Sequence, residues 1–288
     1  MPANITDLKK MLIFFLTVSI TATSQSNTQQ VAARYPGLAA YSKEYVDLYA
    51  TRNNVAALAE LKNNAFGVYA ENRFLIPELN LYTASVGIKT QHGAFALHSS
   101  YFGLDVYHQL SLSLGYGMAV ARNVDVGVQF NYQSLQQAGS FYGNASSINA
   151  SAGAIFHLSE QLHFGIGIYN PTGSEFGKNS GEKLPAQFTF GMGYDASDKV
   201  YVSAEMVKEE NFPTGVNAGF QYRFQKQFFL RMGIATATSN VYGGFGLVFD
   251  RYRIDIAASY HPELGISPGV LLLFDLGKVN AADAQIKN

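Results

Sequence analysis

The chain has 288 residues, a formal net charge of -1, and 14% charged against 48% hydrophobic residues. An average soluble domain carries roughly 25% charge, so a surface this poor in charge suits lipid better than water. The near-zero net charge argues against a nucleic-acid partner, because neutralising phosphates takes a basic excess. The absence of cysteine excludes disulfides, thiolate metal sites, a cysteine nucleophile and lipoprotein acylation.

Lys9 and Lys10 precede a short apolar run over 11–20, followed by Ala22, Thr23 and Ser24. A positive start, a short apolar stretch and small residues at a cleavage site predict a signal peptide over 1–24. The run is shorter than the roughly 20 apolar residues of a membrane-spanning helix, and no later stretch is better. A mature protein in a membrane would therefore have to cross it as a closed barrel. Residues 25–63 read as a polar, Ala-rich periplasmic lead-in. Within it Tyr45, Leu48, Tyr49, Val55, Leu58 and Leu61 have the spacing of short amphipathic helices.

From Asn64 onward the chain becomes a succession of segments with an apolar residue at every second position. This is the signature of barrel strands, whose side chains alternate between lipid and lumen. One example is Leu110, Leu112, Leu114, Tyr116, Met118 and Val120, alternating with Ser111, Ser113, Gly115, Gly117 and Ala119. The pattern predicts an all-β, transmembrane antiparallel β-barrel over 64–277. About fourteen strands are expected, an even number as such barrels require, over 65–74, 81–90, 94–103, 107–120, 124–136, 147–157, 162–170, 187–194, 200–208, 216–224, 228–236, 241–249, 252–260 and 269–276. Tight links at 92–93, 121–123, 159–161, 197–199, 225–227 and 250–251 alternate with mostly longer ones. That asymmetry is expected of periplasmic turns and external loops. Tyr and Phe crowd the strand ends, Tyr69, Tyr82, Phe102, Tyr132, Tyr194 and Tyr252 among them, as interfacial girdles do. Residues 278–288 read as a periplasmic tail.

The predicted lumen face is small and polar. Glu71, Arg73, Lys89, Asp125, Glu205, Arg223, Arg231, Arg253 and Asp255 fall at inward positions. Charges of mixed sign brace a barrel by pairing; the alternative is a polar conduit, although no single-sign ring of the kind that selects ions is visible. The six histidines lie in different segments, with no His-Glu-x-x-His or other metal-ligand spacing. No cofactor, metal or catalytic constellation is expected, and the nearest approach to one is His98 or His157 beside a lumenal serine.

Three places carry a resemblance to known proteins. Asn54-Val55-Ala56-Ala57-Leu58-Ala59 precedes the first strand. Gly167-Ile168-Tyr169-Asn170-Pro171-Thr172-Gly173 is followed by a restart at Leu184-Pro185, and Tyr260-His261-Pro262-Glu263-Leu264-Gly265 precedes the last strand. In this order they resemble the PorV/PorQ-like outer-membrane β-barrel family of Bacteroidetes, within the FadL-like barrels, over nearly the whole mature chain. Val55 departs from that group's proline, and the loops are short for it. The resemblance implies a non-catalytic outer-membrane protein in contact with lipid, serving type IX secretion by binding secretion-system proteins. As an alternative it implies a FadL-like passive channel for a hydrophobic small molecule. The resemblance, and not the spacing, also implies that the N-terminal segment plugs the lumen, and it marks Asn54, Ala56 and Leu58 as the plug motif. Because loops held on a rigid scaffold carry binding, Phe141, Tyr142, Phe176 and Lys178 are the candidate external contacts.

Overall fold

The computed structural model describes residues 38–104, 107–137, 144–175 and 184–277. Fourteen strands follow one another in the chain: β1 (Ala65–Asn72), β2 (Asn80–Lys89), β3 (Ala94–Leu104), β4 (Tyr107–Ala121), β5 (Val124–Gln137), β6 (Ala145–His157) and β7 (Leu162–Tyr169), then β8 (Gln187–Asp195), β9 (Val200–Glu209), β10 (Gly215–Arg223), β11 (Phe228–Ala235), β12 (Asn240–Phe249), β13 (Tyr252–His261) and β14 (Gly265–Asp275). Each strand pairs antiparallel with its neighbour, and β1 pairs with β14 to close the barrel. Closure leaves no sheet edge unpaired, as a lipid environment demands of backbone polar groups.

The alternation read from the sequence sets the two faces. Leu97, Leu114, Val128, Phe130, Ile148, Phe245 and Ile256 are exposed on the outside, while Ser85, His98, Asp125, Asn131, Asn149 and Glu205 are buried inside. An outer surface this apolar matches hydrocarbon. Among the described residues no helix is long and apolar enough to cross a membrane. The links at one end span at most four residues, 250–251 among the shortest, while the other end carries 73–79 and 170–186. These are called the tight-turn end and the loop end.

Two expectations change. The last strand begins at Gly265 rather than Gly269 and runs through Pro268. Its ladder with β1 ends at Gly269, so at Pro268 β14 is paired only with β13, a place where a missing N–H costs the sheet little. Tyr69 and Phe102, expected in the aromatic girdles, are buried in the lumen. They share strand parity with the inward residues Gly67 and His98, and parity fixes the face.

The segment before β1 lies inside the tight-turn half of the barrel. It comprises three short 3-10 turns, Leu38–Ala40, Ala50–Arg52 and Val55–Glu60, in place of the expected amphipathic helices. Ala40, Tyr41, Leu48, Ala56, Ala57 and Leu58 are fully buried. A tight turn with a compact path brings polypeptide against the wall on all sides, and the wall accommodates it with glycine. A Cβ at Gly127 would sit 2.6 Å from the Val55 carbonyl carbon and 2.7 Å from the Ala56 nitrogen, and one at Gly191 would collide with the Tyr41 ring. Overpacking a site of this kind costs about 1–3 kcal/mol. Gly127→Val is therefore expected to leave the barrel folded, seen as unchanged heat-modifiable gel migration, while residues 38–62 become susceptible to limited proteolysis; an equally resistant variant would show that the wall does not need glycine there.

Candidate functional site

The plug fills the tight-turn half of the lumen, and an apolar cluster packs against it towards the loop end. Polar bonds hold the plug in place. Asn54 caps the Val55–Glu60 turn, its Oδ1 accepting from the Ala56 N–H at 3.0 Å. Its Nδ2 donates to the Ile166 carbonyl of β7 at 3.1 Å. Ala56 packs with Ala40, Ala57 and Ile155, and Leu58 with Leu48, Val55, Leu61 and Ala94. The structure thus brings the three predicted plug residues together as one seat.

Four charges, three of them buried and Arg253 partly so, form a second anchor. Asp47 of the plug lies 2.8 Å from Arg253 and 3.6 Å from Arg231, and Asp255 lies 2.6 Å from Arg253 and 3.3 Å from Arg231. Both guanidiniums stack over the Phe229 ring, at 4.7 and 5.1 Å. Two cations and two anions neutralise each other where an unpaired charge would be very costly. Burial alone would raise the Asp47 carboxyl, but Arg253 and Arg231 outweigh it and hold it below the ordinary carboxylate range. A third anchor is Glu205. It accepts from the Tyr41 hydroxyl at 2.6 Å, from Asn217 at 3.0 Å and, closely, from Asn53. Burial and then the Glu205 charge push the Tyr41 hydroxyl well up.

The other predicted lumen charges are dispersed. Glu71 and Arg73 pair at 3.2 Å, with Arg73 in a 3-10 turn past the end of β1 rather than in the strand. Asp125 meets His157 at 2.9 Å. Arg223 stands over the Tyr45 ring at 5.2 Å. Lys89 is exposed, and its ammonium donates to the Ala59 carbonyl at 2.8 Å. His98 bonds Ser85 at 2.8 Å and Thr51 at 3.3 Å, so its serine neighbour is real, and neither partner is a carboxylate. Phe141, Tyr142, Phe176 and Lys178 lie outside the described residues.

Part of the inward face departs from the polar lumen expected. Tyr69, Leu81, Phe102, Tyr242, Ala257 and Leu271 converge from β1, β2, β3, β12, β13 and β14 onto Tyr49 of the plug, with Tyr107 and Leu273 packed beside them. Polar groups rim this apolar sector. Tyr69 donates to Glu71, and the Arg73 guanidinium covers the Phe102 ring at 5.0 Å. Across the lumen Gln133 and Asn149 donate to the Tyr169 hydroxyl. Near Tyr49, Arg52 has a buried Nη1 with no hydrogen-bond partner. Among the described residues the lumen therefore offers an aromatic sector, a polar sector and, at Arg52, a buried guanidinium nitrogen without a hydrogen-bond partner.

Sequence reasoning missed Asp47, which was hidden inside a helical reading of the plug, and the apolar sector, whose members lie on six strands. Tyr69 and Phe102 were read as girdle residues, and only the closing register brings the six together.

Because the Asp47 carboxyl titrates below its unfolded value near pH 4, its contribution is complete above that pH and disappears as pH falls through the lower folded value. Asp47→Asn leaves Arg231 and Arg253 with one anion between them and is expected to cost about 3–5 kcal/mol. Denaturation followed by a plug-selective probe tests this: wild-type plug attachment should weaken on acidification, and the variant should be weak already at neutral pH.

No protein-family profile matches the chain, and no curated protein matches it either. Solved structures do. The CymD monoaromatic hydrocarbon channel aligns with a TM-score of 0.58 at 12% identity, over 81% of this chain and 94% of that one. The toluene transporter TbuX of Ralstonia pickettii aligns at 0.56 and 13%, over 79% and 92%. A FadL homologue of Pseudomonas aeruginosa aligns at 0.54 and 12%, over 80% and 94%. At such identities the likeness establishes architecture alone: the chain has the closed-barrel fold of FadL-type hydrocarbon channels.

Proposed function

We propose that the protein is a passive outer-membrane channel for hydrophobic small molecules, its tight turns in the periplasm and its longer loops outside. The observation that carries this reading is the aromatic sector of Tyr69, Leu81, Phe102, Tyr242 and Leu271 inside a barrel whose lumen would otherwise be polar. Ligand sites for apolar molecules are lined in this way, with a few polar groups to orient the ligand, a part that Arg52 and the Glu71–Arg73 pair can play. The fold shared with hydrocarbon channels supports the same reading. The plug fills the barrel below this sector, so passage requires the plug to shift. Binding of secretion-system proteins, the other expectation, rests on the sequence resemblance and on loop residues outside the described set.

Proteoliposome uptake of a radiolabelled monoaromatic hydrocarbon tests the proposal. Uptake should exceed that of empty vesicles and fall severalfold in Leu81→Asn/Leu271→Asn, which keeps the barrel but makes the sector polar. Uptake no faster than through empty vesicles, for every hydrophobe tried, would contradict it.

A further inference from the structure

A group of titratable side chains at the tight-turn end has no part in the reading above. His157 ends β6 and His163 begins β7, and the two face each other in the ladder. Their Nδ1 atoms are 2.9 Å apart. His157 Nε2 lies 2.9 Å from Asp125 Oδ2 and 3.6 Å from Glu60 Oε1. His163 Nε2 lies 3.1 Å from Asp195 Oδ2, and the other oxygen of Asp195 accepts from Ser42 of the plug at 2.7 Å. Asp125, His157, His163 and Asp195 are buried, and Glu60 is partly open to the mouth, its side chain 27% exposed.

With both rings neutral, counting protons singles out one atom. The contacts Asp125–His157, His157–His163 and His163–Asp195 each need a proton to be hydrogen bonds, yet two neutral imidazoles carry two between them. The count closes with neutral rings if His157 Nε2 is a lone-pair donor to a cation. Nδ1–H of His157 then donates to Nδ1 of His163, whose Nε2–H donates to Asp195. This is the arrangement in which a ligating histidine is oriented by an outer partner and a carboxylate. The donor atoms of Glu60, Asp125 and His157 lie within 4.8 Å of one another. Around a tetrahedral Zn²⁺ with bonds of about 2.0–2.2 Å, donors stand roughly 3.3–3.5 Å apart, so small side-chain rotations suffice.

We propose that Glu60, Asp125 and His157 form a site for a divalent transition-metal ion that bridges the plug to β5 and β6, with His163 and Asp195 as positioning residues. One imidazole and two carboxylates suit Zn²⁺, Mn²⁺ or Fe²⁺, and three protein ligands leave a position for water. The partial exposure of Glu60 gives an ion access from the tight-turn mouth. The site stands independently of what the channel carries.

Zn²⁺ titration of the chelator-treated, detergent-purified full chain, read by calorimetry and metal analysis, tests the site. One ion per chain is expected, with affinity reduced at least tenfold by Glu60→Gln and by Asp125→Asn, and 10–100-fold by His163→Gln. Glu44→Gln, at an exposed plug carboxylate, should bind as wild type does. Zn²⁺ should also raise the denaturation temperature of the wild type but not of Glu60→Gln, a half-exposed change whose folding is verified by gel migration. Absence of binding to the folded wild type, or binding that Glu60→Gln and Asp125→Asn leave unchanged, would overturn the proposal.

Discussion

The contact between the plug and the barrel wall organises the rest of the molecule. A fourteen-strand barrel encloses more space than short inward side chains can fill, and this chain fills the tight-turn half with its own N-terminal segment. That choice imposes two demands on the wall. Where the plug backbone touches strands, the wall must be bare, and Gly127 and Gly191 meet Val55, Ala56 and Tyr41 there. Where the plug is polar, the wall must supply opposite charge or hydrogen-bond partners, which Arg231, Arg253, Glu205 and Asp195 do.

These anchors are unlike in strength and in reversibility. Apolar seating of Leu48, Val55 and Leu58 is diffuse and tolerates small shifts. The Asp47–Arg231–Arg253–Asp255 cluster is all-or-none, since separating any member buries an uncompensated charge. A plug held in this way resists partial displacement, because moving Asp47 separates it from Arg231 and Arg253. The aromatic sector begins where the plug ends, at Tyr49, whose hydroxyl is 3.1 Å from Thr83. Under the proposed function, displacing the plug would change the packing beneath the apolar sector directly, through Tyr49.

Much of the barrel was legible in the sequence because one physical rule, alternation, is written locally in every strand. Strand order followed from the short links, and thirteen of the strand starts lie within two residues of expectation. The exception, β14, was masked by Pro268, whose unpaired side on the β1 flank is a property of the closed ladder and not of the residue. The candidate site was legible only in parts. Lumen charges such as Asp125, Arg231 and Asp255 could be assigned a face from parity, but their partners could not. Asp47 lies 184 residues from Arg231 in the chain (231 − 47), and nothing local links them. His157 and His163 were within reach, because a tight link over 158–161 places the two directly opposite each other; reading the histidines segment by segment concealed it.

Under the proposed function, hydrophobes pass only when the plug leaves its seat. The chain has no cysteine of its own, and a Cβ at Gly87 would lie 2.8 Å from Leu61 Cδ2, 2.9 Å from Leu48 Cδ1 and 3.9 Å from Leu48 Cγ, so Leu48→Cys/Gly87→Cys, with closure verified by thiol titration, is designed to tie the plug to β2 with a single disulfide. Hydrocarbon uptake through the same proteoliposomes, oxidised and then reduced, is the most direct measurement. The account predicts uptake at the empty-vesicle level when the disulfide is closed and recovery when it is reduced. Equal uptake in both states would contradict it.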